Sequence, residues 1–150
     1  MFASYSDYLQ LTHRPDLQVL VLRWLRDTTL PELQTGCQAA LELAQHHGIA
    51  HWVVDVRRRV TVNAERSAWM SDTFLPAAAL RLQPALLRVG YLISPTRLET
   101  ILAEPAVQHA AITRSQDSAQ PYLMRIFLNE SDVMQWLLSE TVGTPFALPA

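Results

Sequence analysis

The sequence predicts a single-domain α/β fold. A mixed sheet of about five strands opens with an antiparallel hairpin and carries about four helices, in the order β-β-α-β-α-β-α-β-α. Three observations lead there. Apolar runs of strand length alternate along the chain with longer segments of helical period. The first two runs are joined by the short turn Arg14-Pro15-Asp16, which suits an antiparallel pair. The 150 residues, 49% of them apolar, suffice for one self-sufficient core. The core is expected over residues 8–138, with an irregular tail over 141–150.

Each element has a local reason. Tyr8 to His13 alternates, with Leu9 and Leu11 on one side and Gln10 and Thr12 on the other, as in a half-buried strand. Pro15 presets φ at the second turn position. Leu17 to Leu25 follows, and Val19-Leu20-Val21-Leu22 is apolar on both faces, as in a central strand. Thr29-Leu30-Pro31-Glu32 has the form of a capping box with proline in the first turn. The helix it starts lines up Leu33, Cys37, Ala40, Leu41 and Ala44, and Gly48 supplies a left-handed stop after His46 and His47. Ile49 to Val56 makes the next strand. Asn63 is a cap for a helix from Ala64 to about Leu75, ending before Pro76. Leu86 to Ile93 is a buried strand, and Ser94-Pro95 opens a helix through Leu102, which Pro105 ends or kinks. Residues 113–121 are polar and read as a loop. Tyr122 to Leu128 is the last strand, and Asn129 or Ser131 caps a final helix through Leu138.

Composition excludes several chemistries. All twelve basic residues are arginine. Without lysine there is no Schiff base, no pyridoxal-phosphate attachment and no phosphate-loop lysine. Glycine stands only at 36, 48, 90 and 143, so neither G-x-G-x-x-G nor G-x-S-x-G can be written. One cysteine, Cys37, rules out an intrachain disulfide and a multi-thiolate metal site, and it falls on an apolar helix face where core packing is its ordinary role. His46, His47 and His51 lack a converging set of ligands, and histidine at a helix C-terminus has a simpler electrostatic account. The expectation is therefore no metal, no cofactor and no catalytic residue. A net charge of −2 attracts no nucleic acid. Residues 1–10 lack a basic region followed by an apolar run, and no apolar stretch nears the roughly 18 residues of a membrane span. We therefore expect a cytoplasmic protein without membrane insertion.

Ligands of open α/β sheets bind outside the carboxyl ends of the strands. The most polar such end is Asp55-Val56-Arg57-Arg58-Arg59. Asp55 with Arg57 or Arg59 can hold an anion or a partner's carboxylate, because guanidinium presents a planar donor fork. The same residues also read as an ion pair that ties the loop, flanked by solvated arginines. Trp24, Trp52 and Trp136 fall in element interiors and read as core. Trp69, with Met70 and Phe74, gives a bulky apolar side on the second helix. Core packing is its ordinary reading, and a surface of Trp69 and Phe74 for a partner or an apolar ligand is the other.

The opening hairpin, the four later helices, the Trp52-Val53-Val54-Asp55-Val56-Arg57 strand end, the Trp69…Phe74-Leu75-Pro76 helix and the closing Phe127…Trp136-Leu137 together resemble SpoIIAA-like STAS domains. The likeness runs from about Tyr8 to Leu138 and is to small stand-alone bacterial members of that family. It implies a non-catalytic protein-interaction or regulatory module. Anti-sigma antagonists of the family carry Asp-x-Ser at the end of a central strand, where phosphorylation of the serine switches partner binding. Here the segment is Asp55-Val56-Arg57: the aspartate matches and the serine does not, so a serine switch is not expected. A fixed arginine there is expected to make the surface cationic, opposite in sign to phosphoserine. Related lipid-binding domains share the broad topology, which keeps a second reading open: a small apolar or amphipathic ligand between sheet and helix. An enzyme with a spatially assembled site is a third. The expected partner is a protein of unknown identity, and an edge strand such as Tyr8–His13 makes a homodimer a further expectation.

Overall fold

The computed structural model describes residues 2–4, 6–59, 64–103 and 120–139, with side chains from residue 6 onward except at 100 and 101. The α/β class is as the sequence predicts. The strands are β1 (Phe2–Ser4), β2 (Leu9–Arg14), β3 (Val19–Trp24), β4 (His51–Asp55), β5 (Arg88–Leu92) and β6 (Leu123–Phe127). The helices are α1 (Leu30–His47), α2 (Ala64–Trp69), α3 (Leu75–Leu82), α4 (Pro95–Ala103) and α5 (Glu130–Leu138), with a π-helical turn over Met70–Phe74 joining α2 to α3. The expected cap at Asn63, the stop at Pro105, most of the loop over 113–121 and the tail over 141–150 lie outside the described residues.

The sheet runs β1-β2-β3-β4-β5-β6 in chain order. β1–β2 and β2–β3 are antiparallel, and β3 to β6 are parallel neighbours. The sheet has one strand more than expected. β1 pairs Phe2 with Thr12 and Ser4 with Gln10, so Tyr8–His13 is not an edge for a second copy to extend. The hairpin is set by a turn in which Leu17 donates its N–H to the Arg14 carbonyl at 3.2 Å, with Pro15 at the second position. Gln18 completes the loop in the left-handed region, at φ 55°.

Right-handed crossovers advancing in one direction place α1, α2–α3 and α4 on one face of the sheet. That face holds the main core: Leu20, Leu22 and Trp24 of β3, Trp52 and Val54 of β4, and Leu33, Cys37, Ala40, Leu41 and Ala44 of α1. The α1 signals operate as written. Thr29 and Glu32 exchange hydrogen bonds as a capping box, and Gly48 closes the helix at φ 66°. Gly36 lets α1 approach closely: a Cβ there would stand 2.9 Å from both Leu9 Cδ2 and Trp24 Cη2. The chain after β6 folds back the other way. Asn129 Oδ1 accepts from the Asp132 N–H at 2.9 Å and starts α5, whose Val133, Trp136 and Leu137 cover Val19, Val53 and Leu92 on the second face. Gly90 makes that contact possible, because a Cβ there would collide with Cγ2 of Val133.

The second helix does not end before Pro76. It continues through a π turn, in which Leu75 donates its N–H to the Met70 carbonyl, and on to Leu82. Proline lacks an N–H, so the next carbonyl in that i→i+5 register, that of Ser71, loses its helical donor. The hydroxyl of Tyr122 donates to it instead, at 3.1 Å, from a fully buried position. A strand side chain thus replaces the bond that proline removes, and the helix passes through.

Candidate functional site

Residues Asp55 and Arg57 lie where the second face of the sheet meets the start of α5. Asp55 closes β4 and is 2% exposed. Its carboxylate accepts from Arg23 Nε at 3.0 Å, from the Arg57 N–H at 3.0 Å, and from Arg57 Nε and Nη2 at 3.1 and 2.9 Å. The Asp55-to-Arg57 spacing makes a short turn that returns the guanidinium over its own strand end. Arg57 Nη2 also donates to Glu130 Oε1 at 2.8 Å, and Arg23 approaches the same oxygen at 3.7 Å. Burial alone would push the Asp55 carboxyl up, but the hydrogen bonds and charges of Arg57 and Arg23 hold it below the usual carboxylate range. The hydrogen bond to Asp55 in turn raises Arg57.

This is a closed ion network. Asp55 has donors on both oxygens, and Arg57 serves two carboxylates. Of the two readings of this strand end, the ion pair that ties the loop is the one the geometry matches. The expected cationic surface is reduced accordingly, since Asp55 and Glu130 face Arg23 and Arg57 and leave the exposed Arg58 beside them. Next to the network runs a groove of about 170 Å³ along α5, lined by Thr12, Val21, Val53, Leu92, Val133 and Met134 among others. It exists because α5 packs on β4, β5 and β6. Glu130 was not among the expected residues; its place in the first turn of a capped helix after the last strand was the available signal.

Arg59 does not join this network. Two residues beyond Arg57 it has crossed to the first face, where its Cζ stands 5.9 Å from the centre of the Trp24 ring. Its Nε is buried and has no hydrogen-bond partner. Arg97, in the first turn of α4, lies near enough for its charge and that of Arg59 to act on each other. Burial, then the charge of Arg59, brings Arg97 down to about 10, so it remains charged at neutral pH.

Trp69 and Phe74 do stack, at 5.4 Å with ring planes 18° apart. They are not an open surface. The i→i+5 turn brings residues five apart onto one side of the helix, and this carries Phe74 inward to 5% exposure, tilted against Trp52 at 6.1 Å. Trp69 keeps a partly exposed position on the outside of that aromatic row. Cys37 is fully buried, 3.6 Å from Met70 Sδ, and burial pushes its thiol up. The histidine reading gains a member from the structure: His13 of β2 stacks on His47 at 4.1 Å, and His46 meets His47 edge-on at 4.8 Å. Among the described residues no group of three His, Cys, Asp or Glu is placed to hold a metal ion, and no helix is long and apolar enough to cross a membrane.

The class defined so far is a single α/β sheet flanked unequally by helices, with an ion network at its central strand end. No family model, no curated protein and no solved structure matches the chain.

Proposed function

We propose that the chain is a non-catalytic interaction or regulatory module of STAS-like type, cytoplasmic and bacterial, and that it engages a protein partner on the second face of the sheet. The observation that carries this reading is the network of Arg23, Asp55, Arg57 and Glu130 at the mouth of the α5 groove. Its side chains are held before any partner arrives, and a preordered surface binds without the cost of ordering rotamer-rich arginines. Arg57 and Glu130 keep 38% and 58% of their side-chain surface open, so both can be reached. Arg57 takes the place that a switchable serine holds in anti-sigma antagonists, which makes the proposed contact constitutive. Cross-linked capture from native lysate with wild type, Arg57→Glu and the remote Arg81→Glu tests the reading. Loss of a partner only with Arg57→Glu supports it, and equal recovery of every partner by all three sinks it.

A second reading is favoured by one observation: Trp69 is the member of the Trp52–Phe74–Trp69 row that keeps solvent contact. A small apolar or amphipathic ligand lodged between sheet and helix would lie against it. Native mass spectrometry of gently purified protein then shows an adduct, and a ligand-free mass removes this alternative. If the module forms a homodimer by strand addition, pairing runs through β1 or β6, the two outer strands. Light scattering that finds a monomer at high concentration argues against the dimer.

A further inference from the structure

Helix α5 covers only part of the second face. It packs on β4, β5 and β6, and the strip beside it, Thr12 of β2 with Val21 and Arg23 of β3, stays partly exposed. Thr12 pairs with Val21 and Val21 with Val53, so the three side chains share that face. The groove of about 170 Å³ lies between this strip and the Val133–Met134 side of α5. An apolar cavity of about 150 Å³ takes up benzene, so the groove fits one bulky apolar side chain. Its ends are charged: Arg14 stands at one, and Arg23 with Glu130 at the other.

The two carboxylates at the Arg23 end are held unequally. Asp55 is buried, and both of its oxygens are bonded. Glu130 keeps 58% of its side chain open and is held through Oε1 alone, 2.8 Å from Arg57 Nη2 and 3.7 Å from Arg23 Nη2. An exposed pair of this kind contributes little to stability, so another carboxylate exchanges with Glu130 at small cost. Among the described residues, Arg57 Nη1 and the exposed Arg58 guanidinium have no acceptor. Arg23, Arg57 and Arg58 thus meet only two carboxylates, an excess of positive charge on a chain whose net charge is −2. Open guanidinium donors pair best with a carboxylate.

We propose that this surface receives an acidic segment of a partner protein. One large apolar side chain of the segment fills the α5 groove, and a neighbouring carboxylate takes the place of Glu130 on Arg57 and reaches Arg58. The inference rests on the reading of the second face as a partner surface and adds the chemistry of what binds there. Glu130 is an internal stand-in for the partner's carboxylate, and Asp55 is the fixed group that holds Arg57 in position.

The test is selection of a phage-displayed library of random dodecapeptides on the full chain, with the affinity of enriched peptides measured by fluorescence anisotropy. Peptides that join Asp or Glu to a large apolar residue are expected to enrich. Arg57→Gln is expected to weaken their binding by about tenfold or more. Met134→Glu, which puts a charge into the groove, is expected to abolish it. Glu130→Gln is expected to tighten binding about two- to fivefold, because it removes the competing carboxylate. Should Arg57→Gln fail to fold, Arg58→Glu at an exposed side chain decides, with binding weakened about threefold or more. A library that yields no binder, enriched peptides without acidic residues, or unchanged or weaker binding with Glu130→Gln overturns the proposal. So does a dimer in light scattering that Met134→Glu turns into a monomer, since a second copy then holds the groove. If lysate capture stays sensitive to Arg57→Glu while any of these results is found, the partner surface stands and only the acidic anchor falls.

Discussion

Replacing Gly90 by alanine sets two physical effects against each other, and the sign of the result tells which wins. Gly90 sits in the middle of β5, and its φ is not in the left-handed region. Alanine can therefore adopt its backbone without strain. On propensity alone, removing glycine from a strand interior stabilises by about 0.5–1 kcal/mol. Packing opposes this. The new Cβ collides with Cγ2 of Val133 and also comes within 3.6 Å of Val133 Cβ and Phe127 Cε2. Val133 cannot turn away easily, because a β-branched residue in a helix has one strongly preferred rotamer. The remaining escape is for α5 to lift off the sheet, and overpacking of that kind costs about 1–3 kcal/mol. The net expectation is a loss of about 1–2 kcal/mol, or roughly 2–8 °C in Tm for a chain of this size. Val133→Ala alone also destabilises, since it leaves a gap over Gly90. In the double variant the two changes fill each other's defect, so their combined cost falls below the sum by about 1 kcal/mol or more. Denaturant unfolding of the four proteins measures the cycle. A Gly90→Ala variant as stable as wild type, or more so, refutes the close approach of α5. The consequence reaches the network as well: α5 carries Glu130, so lifting the helix withdraws that carboxylate from Arg57 and Arg23.

Tyr122→Phe removes the hydroxyl that serves the Ser71 carbonyl and leaves that acceptor buried. We expect a loss of about 1–2 kcal/mol by denaturant unfolding, and no loss would show that the π turn does not rely on Tyr122. Asp55→Ala strands two arginines. Removing one partner of a buried pair costs about 3–5 kcal/mol, and because Arg23 and Arg57 keep 33% and 38% of their side-chain surface open, about 2–3 kcal/mol is expected here. An unchanged midpoint would mean the network contributes nothing to folding. Stability is also expected to fall with pH in two stages. His13 and His51 are held below their ordinary 6.5, chiefly by burial, so the unfolded chain binds their protons more readily and stability drops as pH falls through that region. Glu32 is held down to about 2 by its bonds to Arg26 and Thr29, and Asp55 also lies low. Their contribution is full above the ordinary carboxylate values and is lost as pH falls toward 2. Thermal unfolding across pH 2–8 at constant ionic strength checks both stages, and a midpoint that rises on acidification contradicts the sign.

The fold was legible where one residue type answers one local need. Thr29 and Glu32 close a helix end together, Gly48 permits a left-handed stop, and the apolar runs of β3, β4 and β5 report burial on both faces. It was less legible where a distant residue intervenes. Pro76 reads as a helix terminator because its missing N–H orphans the Ser71 carbonyl, and nothing nearby in sequence announces that Tyr122, 51 positions from Ser71, supplies the replacement. Core packing is the ordinary reading for Phe74, and it is buried; what the sequence does not announce is the π turn, which sets Phe74 beside Trp69, five residues back. β1 is three residues long and has no periodicity to detect. Gly90 did carry a signal, since glycine inside a strand marks a close backbone approach.

The three consecutive arginines show the limit of reading a charge run as one surface. The chain leaves β4 through a turn that the Arg59 N–H closes on the Val56 carbonyl at 3.1 Å, so the strand's alternation, which would put Arg57 and Arg59 on one side, no longer holds. Arg57 goes to the second face and closes a network with Asp55 and Glu130. Arg58 points to solvent. Arg59 goes to the first face and lies over Trp24. One charge is neutralised by neighbours from β4 and α5, one by water, and one is half-buried with its Nε enclosed and without a hydrogen-bond partner. Burial of an arginine is costly unless something pairs with it. Of the three, Arg59 is therefore the one whose place costs most, and Arg57 is the one that the fold itself pairs.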